Sequence, residues 1–453
     1  MNDRPPDAEV APAPYPRRAY GWYVVFLLIV AYIVAFIDRG ILALLVQPIK
    51  EDLGLSDVQM SWLMGPAFGI FYATLGIPIA VLADRHSRRN IIVIGVALWS
   101  LATAACGLAR NYAGLFLARM MVGVGEATLS PCAYSIIPDY FPRQAALKAV
   151  GLYTMGQSIG AGIAFLLGGQ VVLMVTQASG VDWPLVGTLK PWQMTFIVVG
   201  LPGLVLALLM LTIREPVRRG YLNQARSASG PARPVSETFR FLAGRWKTFG
   251  ALFLGNSVVT TIGYSYFWLP SVFQRTWDVD AAQAGIYYGS VLATCGPLGV
   301  ITGSKLSEYL YQRGKLDAPY TVFAFSIVGT LPFAIAMPLA GSALVAVALL
   351  APAIFGLAVA SATSSAAMVH VAPAEFRAQV SAIYLLVISL IGLFVGPPSV
   401  AMLTDYFFKD EMMIRYSLLV VTVVIGALGL TILLMGRSHY RASAKEAEGW
   451  HEK

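Results

Sequence analysis

The segment Val24–Val46, VVFLLIVAYIVAFIDRGILALLV, decides how the rest of the chain is read. It is apolar over most of its length and long enough to cross a bilayer as one helix, which takes about 20 residues. Asp38 and Arg39 nevertheless stand inside it. An ion in the hydrocarbon costs at least about 2.5–3.5 kcal/mol, so such residues face a bundle interior or a water-filled cavity and find partners there. The remainder of the chain must therefore supply a polar interior and countercharges.

Composition agrees. Charged residues make up 12% of the 453 positions and hydrophobic residues 57%, against about 25% charged in soluble domains. This is a multi-pass membrane chain. Its formal charge of +8 is spread over loops and implies no nucleic-acid partner. Cys106, Cys132 and Cys295 stand alone in apolar runs, without disulfide or metal-ligand spacing. The opening MNDRPPDAEVAPAPYPRR is unlike a signal peptide.

Apolar segments predict helices near 21–47, 57–83, 90–109, 113–137, 145–174 and 192–213. A second set falls near 247–273, 282–311, 319–339, 342–369, 376–401 and 415–436. The expected fold is all-α, with twelve transmembrane helices in two pseudo-symmetric six-helix bundles. The expected divisions are a disordered cytoplasmic tail (1–20), an N-terminal bundle (21–213), a cytoplasmic linker (214–246), a C-terminal bundle (247–436) and a cytoplasmic tail (437–453). With both ends inside, 23 of the 32 Lys and Arg lie on the cytoplasmic side. Excess basic residues mark that side. The expected location is the cell's plasma or inner membrane. The halves echo each other: Pro138-Asp-Tyr-Phe141 against Pro373-Ala-Glu-Phe376, then Tyr153 and Ser158 against Tyr384 and Ser389. In transporters built from repeats, substrate sites lie near mid-membrane between the halves.

The fourth predicted helix carries Arg119 and Glu126, seven residues and two turns apart, hence on one face. With Asp38 and Arg39 they make two acids and two bases, a neutral cluster suited to burial. Asp38 and Glu126 are the candidate proton carriers; Arg39 and Arg119 are their partners and candidate receivers of an anionic group. A proton on either acid frees a guanidinium, whose planar donor fork matches carboxylate and phosphate.

Between the second and third helices lies Ala80-Val-Leu-Ala-Asp84-Arg85-His-Ser-Arg88-Arg89. It resembles the loop motif G-x-x-x-D-R-x-G-R-R of the major facilitator superfamily, with Ala80 and Ser87 in place of glycines. Ile37-Asp38-Arg39, Arg119-Met-Met-Val-Gly-Val-Gly-Glu126, Ser130-Pro131 and Tyr134 through Arg143 are together similar to the spinster branch of that superfamily, which exports sphingolipids and lysolipids. The resemblance covers helices one to five. It implies alternating access, a proton-sensitive pair at Asp38 and Arg39, and a cytoplasmic gate at Asp84, Arg85, Arg88, Arg89 and Arg143.

The second half offers fewer handles. Tyr264, Tyr266 and Trp268 form an aromatic patch that suits either an interfacial belt or a cavity wall. Asn256, Tyr153 and His370 are further cavity candidates. Asn, Gln and Asp are too scarce here for a sugar site in both halves. The expectation is a proton-coupled transporter, acting as a monomer, for an amphipathic lipid or organic anion. Its coupling ion is the proton, with no other cofactor, and membrane lipids surround it. A small soluble anion or a drug is the alternative cargo. A lipid enzyme is the remote alternative, because no cluster with metal-ligand spacing and no phosphate loop is present.

Overall fold

The computed structural model describes residues 15–177, 182–183, 187–217 and 235–448. The first six membrane columns are α1 (Arg18–Leu44), α3–α4 (Asp57–Met64 and Pro66–Arg85), α5 (Arg88–Cys106), α6–α7 (Tyr112–Glu126 and Leu129–Ile136), α8 (Arg143–Gln177) and α9 (Pro191–Met210). The short α2 (Val46–Leu53) joins the first two. A two-residue hairpin, β1 (Asp182–Trp183) with β2 (Gly187–Thr188), precedes α9.

After α10 (Val235–Gly244) come α11–α12 (Trp246–Ser265 and Leu269–Trp277), α13 (Ala281–Gln312), α14 (Ala318–Ala336), α15 (Ala343–His370), α16 (Ala374–Met402) and α17 (Ile414–Glu448). Ten of these helices are long and apolar enough to cross a membrane; the broken columns α3–α4 and α11–α12 complete twelve. An even number of passes puts both chain ends on one side, here called the terminal side.

Local sequence sets the ends and breaks. Ser56 and Gln59 form a capping box at α3, and Asn111, Asp280 and Ser342 cap α6, α13 and α15. Pro66 and Pro270 open the second segments of the two broken columns, where a missing N–H costs little. Gly65 does more than permit a break: any Cβ there would collide with the Leu393 carbonyl of α16.

The predicted repeat has a structural counterpart. Tyr153 of α8 packs edge-on against Tyr32 of α1, ring centres 5.5 Å apart at 81°. Tyr384 of α16 meets Phe253 of α11 at 5.4 Å and 64°. Each half thus wedges the tyrosine of its fifth helix against a ring of its first.

The halves meet tightly on the side away from the chain ends. A Cβ on Gly289 of α13 would lie 2.7 Å from the Gly162 carbonyl of α8, and one on Gly169 would lie 2.8 Å from the Ala282 carbonyl. The glycine run of α8 therefore serves close helix packing.

Three boundaries differ from expectation. Helix α1 starts at Arg18, before the predicted end of the tail, whose residues 1–14 lie outside the described part. The expected linker contains α10, whose Phe241 stacks on Phe376 at 5.0 Å, and residues 218–234 are outside the description. The expected C-terminal tail continues α17 to Glu448, because Tyr440 and Ala444 are fully buried and Tyr440 stacks on Tyr320 at 4.6 Å.

Candidate functional site

The four charged residues of the first half converge, but not as a symmetric set. Arg39 reaches Glu126, its Nε donating to Oε2 at 2.6 Å, and Nη2 pairs with the same oxygen. Oε1 of Glu126 has no hydrogen-bond partner. The Arg39 guanidinium lies against the stacked rings of Phe68 and Tyr72, at 4.5 and 4.6 Å from their centres. Cation–π attraction of this kind is strongest where water is excluded.

Asp38 faces the other way. Its side chain is fully buried, and neither carboxyl oxygen has a hydrogen-bond partner, although the Thr103 hydroxyl of α5 lies beside it. Arg119 does not pair with it. Arg119 donates from Nη1 to the backbone carbonyl of Asp38 at 3.0 Å and lies close to the Leu63 carbonyl. The expectation that both acids compete for both arginines is therefore corrected: one ion pair forms, Arg119 holds backbone, and the Asp38 carboxyl is left unpaired. Adjacent residues on a helix point about 100° apart, enough to turn Arg39 toward the cavity and Asp38 into the bundle.

Beside Arg39 lies a cleft of about 420 Å³ between α4, α7 and α16. Tyr72, Gly76, Ser130, Leu385, Leu386 and Ser389 help line it. Among the described residues, the polar side chains on its wall are all hydroxyls. Tyr264 of α11 lies near Arg39 and Tyr72, so this predicted residue does look across to the first half.

The other cavity candidates sit elsewhere. Tyr266 and Trp268 are fully buried, and the Trp268 indole donates to the Pro397 carbonyl at 3.0 Å. They brace the break of α11–α12 and form neither belt nor cavity wall. Tyr153 is core within its half. Asn256 is buried beside Tyr384, and its amide has no hydrogen-bond partner. His370 packs edge-on against Tyr311 and meets the Tyr440 hydroxyl at 3.3 Å, at the terminal-side end of α15.

On the terminal side, Arg88 is buried and central. It contacts Asp139 at 2.5 Å, Glu215 at 2.7 Å and the Ser135 carbonyl at 2.9 Å. Glu215 also accepts from the Arg89 N–H and the Ser87 hydroxyl, each at 2.9 Å. Arg85 is exposed. The side chains of Asp84, Arg143 and Ser158 lie outside the described part of the structure.

Sequence reading missed the opposite end. Asp57 of α3 is fully buried and takes both terminal nitrogens of Arg275, at 2.7 and 2.8 Å. Lys50 of α2 adds its ammonium at 2.5 Å and reaches Glu411 at 2.7 Å. The Val58 N–H donates to Asp405 at 2.8 Å. Asp57, Lys50 and Val58 belong to the first half; Arg275, Glu411 and Asp405 belong to the second. Lys50 and Arg275 read as ordinary loop charges, and nothing in their spacing marks them as partners.

Residues 28–397 match the model of the Major Facilitator Superfamily. The chain belongs to this superfamily. Among its relatives, a probable L-galactonate transporter of Escherichia coli (strain K12) is 25% identical, over 77% of this chain and 75% of the relative. Protein spinster homolog 1 of Xenopus tropicalis is 28% identical, over 68% of this chain and 58% of that one. The crystal structure of a bacterial homolog to the human lysosomal transporter Spinster, inward-facing and unoccupied, superimposes with a TM-score of 0.76 at 26% identity, covering 95% of this chain and 98% of that one.

The chain is thus a spinster-like facilitator that works by alternating access. Its halves are clamped by ions at the end away from the chain termini, while Arg39, paired with Glu126, lies over Tyr72 on the wall of the cleft between α4 and α16.

Proposed function

We propose that this facilitator couples proton movement to the passage of an amphipathic organic anion. Arg39 receives the anionic group, and the apolar body lies along α4 and α16. One observation carries the reading: a guanidinium held by a single carboxylate oxygen of Glu126 lies over the ring of Tyr72, a wall residue of a cleft whose polar side chains, among the described residues, are all hydroxyls.

A proton arriving on Glu126 cancels its charge and releases Arg39, whose fork then binds the substrate's carboxylate or phosphate. Loss of that proton restores the pair and expels the anion. Asp38 offers a second proton site, because an unpaired carboxylate in so dry a place is met most cheaply by protonation. The basic terminal side is assigned to the cytoplasm of a plasma or inner membrane.

The relatives' names include a galactonate transporter, which favours a second reading: a small hydrophilic sugar acid. Among its described residues, the cleft wall lacks the Asn, Gln and Asp side chains that read several hydroxyls.

Purified protein in proteoliposomes with an imposed pH gradient tests both readings, using a series of alkyl carboxylates and alkyl phosphates and a sugar acid. Gradient-driven flux that strengthens with chain length and is abolished in Asp38→Asn or Glu126→Gln supports the proposal. Flux that ignores the gradient refutes coupling. Affinity independent of chain length, with uptake of the sugar acid, favours the second reading.

A further inference from the structure

A groove of about 380 Å³ runs between α11 and α17 at the terminal side, well away from the charged centre. Its floor is made of small residues. Gly250 has no atom within 4 Å of where a Cβ would stand, and Gly436 is pressed against Ala251. Leu254 and Met435, both exposed, form its apolar walls. At its open end stand Trp246, exposed, and Lys247, whose ammonium lies 5.8 Å from the Trp246 ring centre. His439 of α17 faces them. Among the described residues, neither Lys247 nor His439 has an acidic partner. No side chain caps the N-terminus of α11, whose first turn opens at this same spot.

We propose that this groove is a binding site for an anionic phospholipid. One acyl chain lies over Gly250 between Leu254 and Met435, and the phosphodiester sits against Lys247, His439 and the start of α11. Charge complementarity selects the occupant. An apolar trough alone would take any acyl chain, but an unneutralised ammonium, an imidazole donor and an uncapped helix start converge on the headgroup level, and each favours a negative group. A basic pocket between membrane helices is a recognised setting for anionic headgroups. Trp246 adds an interfacial anchor whose ring sits where tails meet headgroups. The neighbouring arginine is already committed: Arg245 pairs with Glu446. The site is independent of the transport reading, since none of its residues borders the cleft at Arg39.

The test is native mass spectrometry of the full chain from mixed micelles holding equal phosphatidylglycerol and phosphatidylcholine. The expected result is retention of phosphatidylglycerol over phosphatidylcholine by about fivefold, the preference one basic residue near a headgroup supplies. Lys247→Gln removes the preference. Gly250→Leu, whose Cβ meets nothing within 4 Å and whose branched end occupies the groove, reduces retention of both lipids. Lys315→Gln, an exposed basic residue on the same side, leaves the pattern unchanged. Equal retention of the two lipids by the unaltered chain overturns the proposal. So does a preference that survives both Lys247→Gln and Gly250→Leu, or one lost equally in Lys315→Gln.

Discussion

Asp57 and Arg275, 218 residues apart in sequence, join the two halves through paired contacts of 2.7 and 2.8 Å, with the carboxylate fully buried. An alternating-access cycle that opens this end has to break that pair. Two charges taken from water are repaid only while they hold each other, so the contact favours the arrangement in which this end is shut.

Asp57→Asn leaves Lys50 and Arg275 without their shared carboxylate. Breaking one partner of a buried pair costs about 3–5 kcal/mol. The share carried by Arg275, the partner from the other half, falls on the closed form of this end. Spin labels at Glu51 and Gln283, one in each half, are expected to move apart in the variant, as read by double electron–electron resonance. Unchanged distances would show that glycine packing alone seals this end.

Arg39→Ala strands Glu126 as an unpaired buried carboxylate, with a similar penalty of about 3–5 kcal/mol. Arg39→Lys keeps the charge but loses the planar fork and much of the stacking on Phe68 and Tyr72. Substrate-dependent flux is expected to fall at least about tenfold in Arg39→Lys, while the melting temperature drops mainly in Arg39→Ala. Equal flux in Arg39→Lys would argue that a point charge suffices.

The terminal-side clamp has a pH signature. Burial pushes the Glu215 carboxyl up, but the Arg89 N–H, the Arg88 guanidinium and the Ser87 hydroxyl outweigh it and hold the group below the usual carboxylate range. A folded-state value below the unfolded one gives stability that is complete above the ordinary glutamate value of about 4.3 and is lost as pH falls through the folded-state value. The melting temperature in detergent is expected to be flat from neutral pH to about 5 and to drop below about 4. Glu215→Gln should lower the plateau and shallow the acid limb. An unaltered acid limb would assign that loss to other groups.

Gly289→Ala places a methyl group within 2.7 Å of the Gly162 carbonyl. Neither backbone can move without separating α8 from α13. Gly329→Ala, in α14 and away from the cleft, meets nothing within 4 Å and gains about 1 kcal/mol of helix propensity. Melting temperature and flux are expected to fall in the first variant, while the second is neutral or slightly stabilised. A crosslinking yield across α8 and α13, measured with paired cysteines, separates a packing defect from simple misfolding.

Much of the architecture was legible because bilayer crossing leaves a coarse mark. A run of about 20 apolar residues has few alternatives, so twelve columns and the central division could be read from hydropathy. Asp38, Arg39, Arg119 and Glu126 were legible for the same reason, since charge inside such a run stands out. Trp268 and Tyr266 misled, because an aromatic cluster looks alike whether it faces lipid, cavity or core. Lys50, Asp57 and Arg275 gave no signal, because charges just beyond a helix end look like solvated loop residues.

The sequence by itself determined that this chain spans a membrane many times and hides four ionisable groups within its first half, since hydrocarbon tolerates little else. Only the tertiary structure decided which acid Arg39 holds, that Arg119 binds backbone, that Asp38 lacks a partner, and that Asp57 meets Arg275. Those outcomes depend on where distant helices bring side chains within about 3 Å of one another. Hydropathy constrains each helix against lipid and carries no record of which helix lies beside it.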